Sequence, residues 1–353
     1  MNSILNTAPI KGRGTSENID HRFAHRTIVQ DPEFAECAPK PVTEVRSTTA
    51  RSIISRNNSP DVGFNLSVNP YQGCEHGCVY CFARPTHAFH DLSPGLDFET
   101  RIMAKTNAAE LLEKELSAKS YSCEPIAIGV NTDAYQPAER ELEITRAILE
   151  TCLGYRQPVV LITKSNLILR DLDILGEMAK LNLVRTSISI TTLDDDLKRR
   201  MEPRASASAS RLKTIRKLSE HAIPVSVMLA PVIPRINDHE IENILAASRE
   251  NGASHASYVL LRLPLEVEPL FWNWLNMHYP QRANAVMRAI ESCRGGKAYD
   301  ATFYKRMRGE GLIARMIARR FRLAKKRCDM EKNSKALNTR MFRVPHDRQL
   351  DLF

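Results

Sequence analysis

Six short runs rich in β-branched residues alternate with longer amphipathic stretches, and this alternation constrains the fold of the chain more than any other feature. The runs are 63–69, 125–131, 158–164, 184–193, 223–234 and 256–264. Helical periodicity and start signals lie between them, at about 98–119, 137–154, 166–181, 206–221 and 237–251. Continuous apolar runs that alternate with helices predict a parallel sheet with right-handed crossovers. The sequence therefore predicts an α/β fold with six units in an incomplete barrel or a strongly curved sheet, and ligands at the carboxyl ends of its strands.

The segments outside this core differ from it in character. Residues 1–60 mix Pro, Thr, Ser, Asn and charged residues without sustained periodicity, so we expect an extended amino-terminal arm with little chemistry in it. The core follows at 61–265, then a basic helical extension at 266–335 and an extended tail at 336–353.

The composition is that of a globular protein from a reducing compartment. The chain has 353 residues, 43% of them hydrophobic, which suffices for one large core or two smaller ones. The first residues lack the apolar run of a secretory signal, and no segment approaches the roughly 18 apolar residues of a membrane span. The eight cysteines are irregularly spaced in a chain far larger than disulfide-stapled scaffolds. We therefore expect a cytoplasmic protein without a membrane partner.

Positive charge is concentrated near the end of the chain. The net charge is +9, and residues 303–332 alone contain eleven Lys and Arg against three acids. Such a block is typical of proteins that bind phosphate-rich partners, although solvated helices are also basic. The sequence predicts nucleic-acid contacts by the basic residues Lys305, Arg306, Arg308, Arg315, Arg319, Arg320, Arg322, Lys325 and Lys326.

A cysteine cluster with C-x3-C-x2-C spacing follows the first predicted strand and contains Cys74, Cys78 and Cys81. Three thiolates of one loop can hold three irons of a [4Fe–4S] cluster, and they leave the fourth iron open to an exogenous ligand. The alternative is a structural zinc site, whose fourth ligand would be His76, His87 or His90. The remaining cysteines are dispersed and are expected to be small buried hydrophobes: Cys37, Cys123, Cys152, Cys293 and Cys328.

This cysteine spacing, with the aromatic Tyr80 before the last cysteine, resembles the signature of the radical S-adenosylmethionine (SAM) superfamily. Residues 60–265 are further similar to its spore-photoproduct-lyase branch. The resemblance implies a partial (βα)6 barrel of the TIM type and a [4Fe–4S] cluster whose open iron binds SAM, with Tyr80 at the cofactor. It also implies reductive cleavage of SAM to a 5′-deoxyadenosyl radical that abstracts hydrogen from a substrate, and an electron donor such as flavodoxin or ferredoxin.

Polar residues that end the second and third strands are candidates for binding the cofactor. Asn131, Thr132 and Asp133 suit the amino and carboxylate groups of a methionine, and they equally suit the N-cap of the following helix. The resemblance suggests that Lys164, directly after the third strand, meets the cofactor carboxylate.

Further candidates follow the later strands. Ser189 and Thr191 share one face of the fourth strand, where their hydroxyls can bond a ribose or simply pack. Glu202 lies in a Glu-Pro turn that resembles one in the lyase branch, where it contacts cofactor or substrate. Strands five and six contribute residues expected to frame the adenine and the substrate side, among them Met228 and Arg262.

One feature departs from the lyase branch. Its thiol hydrogen donor lies near the end of the second strand, where this chain has Val130 and Asn131. Cys123 is a candidate hydrogen donor, but it precedes that strand and would need a loop that folds back. The resemblance therefore does not by itself imply spore photoproduct repair.

The chain ends in the pentapeptide Gln349, Leu350, Asp351, Leu352 and Phe353. This sequence is similar to the peptide by which bacterial proteins dock on the DNA-polymerase sliding clamp, with apolar anchors that enter a pocket. The alternative is that the pentapeptide packs on the protein's own surface.

These features favour a radical SAM enzyme that acts on a nucleic-acid base, in DNA repair or modification. The first alternative is a radical SAM enzyme that modifies a protein or a small metabolite. An alternative of another class is a non-enzymatic nucleic-acid-binding protein that carries zinc or a cluster.

Overall fold

The computed structural model describes residues 8–24, 41–331 and 335–345. The strands in these ranges are β1 (Glu44–Thr48), β2 (Ile54–Arg56), β3 (Leu66–Val68), β4 (Tyr71–Gln72), β5 (Arg101–Lys105), β6 (Ile126–Ile128), β7 (Val159–Thr163), β8 (Val184–Ser189), β9 (Val225–Val232) and β10 (His255–Leu260).

The main sheet has seven strands in the order β10-β9-β8-β7-β6-β3-β2. The six strands from β3 to β10 in this sheet pair in parallel, with Leu66 opposite Ile126 and Ile126 opposite Val159 in register. They coincide with the six predicted runs, so the predicted α/β fold is confirmed. β2 is antiparallel to β3 and forms one edge of the sheet, while β10 forms the other.

Helices cover the outer face of this sheet and extend beyond it. They are α1 (Leu96–Thr100), α2 (Ala108–Leu116), α3 (Glu139–Leu142), α4 (Ile144–Tyr155), α5 (Leu172–Lys180), α6 (Asp195–Met201), α7 (Ser208–Glu220), α8 (Ile241–Glu250), α9 (Val267–His278), α10 (Ala283–Ser292), α11 (Lys305–Arg308) and α12 (Gly311–Arg327). Short 3₁₀ helices lie at Arg84–His90, Asn166–Asp171 and Asp238–Glu240. Local caps set some of these boundaries: the Asp194 carboxylate accepts hydrogen bonds from the first amides of α6.

A second, smaller sheet corrects one predicted helix. The prediction of a helix over 98–119 is wrong at its centre, because Arg101–Lys105 forms β5 between α1 and α2. β5 pairs in parallel with β1 and antiparallel with β4. The tertiary pairing with β1 thus overrides the local helical pattern.

Two apolar clusters hold the molecule together. The larger lies between the main sheet and its helices, and its members include Leu66, Ile126 and Leu161, each at most 1% exposed. Truncating such a residue to Ala costs about 2–5 kcal/mol. In the second cluster, Phe271 and Trp274 of α9 pack with the cysteine loop. The carboxyl-terminal extension therefore covers the cysteine loop.

The amino-terminal arm is more ordered than predicted where the structure describes it. β1 and β2 lie within it, and residues 13–15 contact the segment after the cysteine loop through Glu99. At the other end of the chain, Phe342 packs on Tyr121 and Tyr155, and the amide of Arg343 donates to the Tyr155 carbonyl. This segment lies beside the amino ends of the strands. Within the described ranges no helix combines the length and apolarity that crossing a bilayer requires.

Candidate active site

The cysteine loop lies between β4 and the first 3₁₀ helix and is folded by its own backbone. The amide of Cys74 donates to the Phe98 carbonyl at 2.9 Å, and the amide of Cys81 donates to the Cys78 carbonyl at 3.2 Å. Gly73 and Gly77 have φ values of +79° and +67°, a left-handed conformation that residues with a Cβ atom rarely adopt. The loop thereby turns all three thiols toward one cavity of about 610 Å³ at the carboxyl ends of the parallel strands.

The donor set suits an iron–sulfur cluster. Burial raises the pKa of all three thiols, to about 12 for Cys78, and the proximity of Asp133 and the other two cysteines raises that of Cys74 further. A bound cation would offset this penalty on the thiolates. Because the thiolates of a [4Fe–4S] cluster ligate different irons, they need not meet at one point.

Of the three histidines proposed as a fourth zinc ligand, two contact other groups of the protein and one is exposed to solvent. His76 Nδ1 lies 3.3 Å from the Asp133 carboxylate, and His87 Nε2 lies 3.1 Å from the Arg101 carbonyl. His90 is exposed. In the part of the chain that the structure describes, no three His, Cys, Asp or Glu side chains stand close enough to hold a single metal ion. The geometry therefore favours the cluster over the zinc alternative.

The polar residues after β6 line the cavity, as predicted, and also hydrogen-bond to the segments around them. The Asp133 carboxylate accepts hydrogen bonds from the Thr163 hydroxyl at 2.7 Å and from the Lys164 amide at 2.8 Å. Burial on its own raises the pKa of Asp133, but His76 and these donors together lower it to about 2. The Thr132 hydroxyl donates to a backbone carbonyl, and the Asn131 amide donates to a neighbouring side chain. These residues thus join β6 to β7 and to the cysteine loop.

A buried carboxylate, Glu202, joins the cysteine loop to the ends of β7 and β8. It accepts hydrogen bonds from Tyr80 and Arg211, and from the Thr191 hydroxyl at 2.5 Å. Burial raises the pKa of Glu202, but Arg211 and Lys164 lower it by more, so the net pKa lies well below its ordinary value. Glu202 is therefore an anion that anchors two cations.

Lys164 lies at the centre of the cavity wall. Its ammonium group donates to the Ser189 hydroxyl at 2.7 Å and to the Ala230 carbonyl at 3.3 Å, and it lies 3.6 Å from Glu202. It also lies 5.8 Å from the centre of the Tyr80 ring. The structure therefore brings together Tyr80, Lys164, Ser189, Thr191 and Glu202, all predicted from sequence.

Comparison with known proteins decides the family. The radical SAM superfamily model matches residues 68–247, just over half of the chain. This chain belongs to the radical SAM superfamily. The cofactors of this radical SAM enzyme are accordingly a [4Fe–4S] cluster and SAM, and it needs an electron donor.

Several known proteins are similar to this chain. An uncharacterized protein of Mycobacterium tuberculosis is 33% identical over 269 residues, which cover 76% of this chain and 77% of that protein. An uncharacterized protein of Methanocaldococcus jannaschii is 26% identical over 239 residues, 67% of this chain and 85% of that protein. Among solved structures, a point variant of spore photoproduct lyase matches with a TM-score of 0.59 at 14% identity, covering 81% of this chain and 80% of that chain. At this identity the structural match shows a shared fold.

Sequence reasoning missed several residues of this radical SAM site. Gln136 donates to the Gly73 carbonyl at 3.2 Å and accepts from the Glu75 amide at 3.0 Å, so it supports the cysteine loop. Arg211, in α7, is 1% exposed and also donates to the Ser189 carbonyl at 2.9 Å. No motif singled out either residue. The only available signal was the place of Gln136 three residues after Asp133.

The amino-terminal arm supports the cysteine loop from behind. Glu99 is fully buried, pairs with Arg84 at 2.5 Å, and accepts hydrogen bonds from the amides of Gly14 and Thr15. Gly14 packs so closely that an added Cβ would collide with the Gly77 carbonyl oxygen. Residues 13–15 of the arm therefore support the cysteine loop through Glu99 and Gly77, while the expectation that little chemistry lies in the arm stays a prediction.

Cys123 does not reach the cavity. It precedes β6, and its thiol lies 3.5 Å from the side-chain oxygen of Gln157, which precedes β7. Cys123 therefore lies near the amino ends of the strands, the wrong end of the barrel for a hydrogen donor. Of the other dispersed cysteines, Cys152 and Cys293 are buried as expected, Cys328 is partly exposed, and Cys37 lies outside the described residues.

The nine basic residues of the extension have different environments. Three form ion pairs within the protein: Lys305 with Glu310, Arg306 with Asp61 and Arg320 with Glu242. Two more have close partners, since Arg308 lies 4.2 Å from the centre of the Tyr258 ring and Lys325 lies 3.3 Å from His255. The remaining four are exposed on α12: Arg315, Arg319, Arg322 and Lys326. The predicted peptide 349–353 lies outside the described residues.

Proposed function

We propose that this radical SAM enzyme removes a hydrogen atom from a nucleic-acid base, in the repair or modification of DNA. The observation that carries the proposal is an exposed basic face on α12, formed by Arg315, Arg319, Arg322 and Lys326. Their spacing of three and four residues puts them on one side of the helix. None of them forms an ion pair within the described residues, so their charge is available to phosphates.

The opposite face of α12 fixes this basic surface to the barrel. Ile317, Phe321 and Ala324 are buried, and the Phe321 ring lies 4.6 Å from the ring of Tyr258 on β10. Arg320 adds a 2.5 Å ion pair to Glu242 of α8. A nucleic acid bound to the exposed face would therefore be held by an element that packs directly on the strand at one edge of the cavity.

Charge balance supports a role for Lys164 in binding the SAM carboxylate. Two cations, Lys164 and Arg211, face one buried anion, Glu202, whose other partners are neutral. An incoming carboxylate would balance the second cation. Ser189 lies beside Lys164, within reach of the same ligand.

The remaining cofactor contacts are proposed from position in the cavity. Asn131, Thr132 and Asp133 line it and suit the amino group of SAM, with Thr191 and Tyr80 beside the Glu202 carboxylate. When bound, the reduced cluster and SAM supply the 5′-deoxyadenosyl radical that takes hydrogen from the substrate. The protein's part is to orient both cofactors and to exclude water.

A structural neighbour supports the substrate class. A spore photoproduct lyase structure that matches with a TM-score of 0.51 is complexed with a dinucleoside spore photoproduct. A base within a duplex would have to leave the stack before it could enter a cavity of this kind. We infer that our chain takes an exposed or extruded nucleotide.

The salt dependence of DNA binding tests the basic face. Replacing Arg315, Arg319 and Arg322 by Ser should weaken binding of a short duplex and lower the slope of log K against log salt by about 0.9 for each lost phosphate contact. The control replaces Lys114, Lys119 and Lys213 by Ser, which removes the same charge elsewhere. Equal slopes for both triple variants would contradict the proposal.

Product analysis tests the reaction. Anaerobic incubation of the reduced, cluster-loaded enzyme with SAM and either damaged or undamaged DNA should yield 5′-deoxyadenosine together with a changed nucleoside, both detected by mass spectrometry. Formation of 5′-deoxyadenosine that does not depend on any DNA would favour the alternative of a protein or metabolite substrate.

The proposal also includes the partners of the enzyme and its location in the cell. We propose that residues 349–353 bind a bacterial sliding clamp, that flavodoxin or ferredoxin delivers electrons, and that the enzyme acts in the cytoplasm. The described segment that precedes this peptide packs beside the amino ends of the strands, away from the cavity. Deletion of residues 349–353 should abolish capture by immobilised clamp without changing SAM cleavage. Capture that survives the deletion would contradict the clamp proposal.

A further inference from the structure

We propose that Arg262 holds an internucleotide phosphodiester beside the reacting nucleotide in the cavity. This inference rests on the nucleic-acid function proposed above and names one group of the polymer that the cavity binds. Arg262 follows β10, three strands away from the strand that leads to Lys164. It therefore belongs to a different part of the cavity wall from the Glu202 network.

The position of Arg262 is close to the cysteine loop. Its guanidinium carbon lies 4.8 Å from the centre of the Phe82 ring. Phe82 directly follows Cys81, is 41% exposed, and lines the same cavity. A ligand group held by this guanidinium would thus lie beside the loop that carries the cluster. This cation–π contact also holds the guanidinium against the Phe82 ring.

The hydrogen-bonding capacity of Arg262 is almost unused. Its Nε–H is buried without a partner, and its Nη1 contacts only the Met307 sulfur, at 3.9 Å, among the described residues. No carboxylate in the described ranges forms an ion pair with it. A guanidinium has five N–H donors, and a buried donor without an acceptor is unfavourable. The site therefore fits an anion that accepts two hydrogen bonds.

Neighbouring charges strengthen this preference for an anion. Arg294 is 2% exposed, has no carboxylate partner among the described residues, and donates to the carbonyls of Leu261 and Lys305 at 2.6 Å and 2.5 Å. It therefore adds positive charge and also ties the end of β10 to α11. Arg306, which lines the cavity nearby, is neutralised by Asp61. Among the basic residues that line this side of the cavity, Arg262 is thus the one without a carboxylate partner in the described ranges, and Arg294 lies buried behind it.

A phosphodiester matches these observations better than the SAM carboxylate does. The carboxylate is already matched by Lys164, whose excess charge lies across the sheet. Arginine is suited to phosphate because its planar fork donates two parallel hydrogen bonds to two oxygens. In a polymer substrate, the phosphate that flanks the reacting nucleotide is the anion that always accompanies it.

A pair of dinucleotide probes tests the inference. The probes are thymidylyl-thymidine with its natural phosphodiester and the same dinucleotide with a neutral methylphosphonate linkage. Binding of each to cluster-loaded, SAM-bound enzyme would be measured anaerobically by equilibrium dialysis. The wild-type enzyme should prefer the charged probe by about 10-fold to 100-fold, the size expected for a charge-assisted hydrogen bond. Arg262→Gln should remove this preference by weakening binding of the charged probe to the level of the neutral one.

The control is Arg288→Gln, which removes one exposed charge from α10 and should keep the preference. An Arg262→Gln enzyme that keeps the preference overturns the inference while the nucleic-acid function stands. An Arg262→Gln enzyme that loses affinity for SAM instead assigns Arg262 to the cofactor and also overturns it. Thymidine monophosphate binding as tightly as the charged dinucleotide overturns the polymer source of the phosphate. Failure of the wild-type enzyme to bind either dinucleotide or longer DNA contradicts the proposed function itself.

Discussion

At the scale of single residues, Glu202 determines how much positive charge the cavity wall can carry. Glu202→Gln should lower the free energy of unfolding by about 3–5 kcal/mol, because it leaves Arg211 buried without its counter-ion. Denaturant unfolding of anaerobically prepared protein measures the change. The matched control is Glu177→Gln, which breaks an exposed pair with Lys180 and should cost less than about 1 kcal/mol.

A second substitution separates the charge from the packing at this position. If loss of the counter-ion is the cause, Glu202→Gln combined with Arg211→Met should recover part of the stability lost by Glu202→Gln alone. A double variant at least as unstable as the sum of the two single variants would contradict this explanation.

Lys164 is expected to act on the cofactor and not on the cluster. Lys164→Met should weaken SAM binding about 10-fold to 100-fold, because a charge-assisted hydrogen bond to the carboxylate is lost. Iron and sulfide content should stay unchanged, since the ammonium group donates its hydrogen bonds to Ser189 and Ala230 and not to the cysteine loop. Equilibrium dialysis with SAM and iron analysis are the measurements, and Lys180→Met is the surface control. Unchanged SAM affinity would contradict the assignment.

Several of the residues that sequence could predict lie at, or shortly after, the carboxyl ends of apolar strands. Asp133, Lys164 and Ser189 meet because the carboxyl ends of parallel strands lie at one edge of a sheet. Arg211 could not be predicted, because a helical arginine is ordinarily solvated and nothing in its spacing indicates burial. The Glu99 contacts with Gly14 and Thr15 join positions more than 80 residues apart, which no local pattern encodes.

At the scale of elements, the cysteine loop depends on a segment that comes long before it in the chain. Gly14→Ala should reduce cluster occupancy, because the new methyl group would collide with the Gly77 carbonyl and push the loop out of place. Iron content and the rate of cluster loss in air measure the effect. The control is Gly154→Ala, since a Cβ there meets nothing within 4 Å. Full occupancy in Gly14→Ala would contradict this role of the arm.

β5 shows why a local pattern can mislead. Arg101–Lys105 alternates between exposed and buried positions in the structure, but flanking helix formers make the segment read as one helix from 98 to 119. Its strand conformation comes from β1, whose paired residues lie 57 positions earlier, as with Glu44 and Arg101. Pairing over such a distance is a tertiary effect that sequence periodicity does not report.

At the scale of the whole molecule, the six parallel strands of the core were predictable because each forms its own short apolar run. The path of the amino-terminal arm was not, because its contacts are polar and distant in sequence. β2 illustrates this, since it adds an antiparallel edge to the sheet although its exposed residues have no apolar alternation.

The two edges of the main sheet face each other across an open seam, and one prominent ionic contact lies between them. β10 and β2 are the two edges of the main sheet, and between them Asp61 accepts hydrogen bonds from Arg306 at 2.5 Å and from the Tyr304 amide at 2.9 Å. Asp61→Asn should speed amide exchange in residues 57–64 and 304–308 about 5-fold to 100-fold, because the guanidinium loses its charged acceptor. Hydrogen-exchange mass spectrometry makes the comparison with Asp196→Asn, an exposed helical pair. If amide exchange in Asp61→Asn stays at the wild-type rate, other contacts hold the seam together.

The seam between β2 and β10 also determines how a long polymer could reach the cavity. Backbone hydrogen bonds join all neighbouring strands within the main sheet. The two edge strands, β2 and β10, are not joined to each other in this way. Parting them breaks no strand-to-strand backbone ladder, so a nucleic-acid strand, the substrate proposed above, could enter from the side. Such entry needs no free end, so under the proposed function closed circular DNA would be as accessible to the enzyme as a linear fragment.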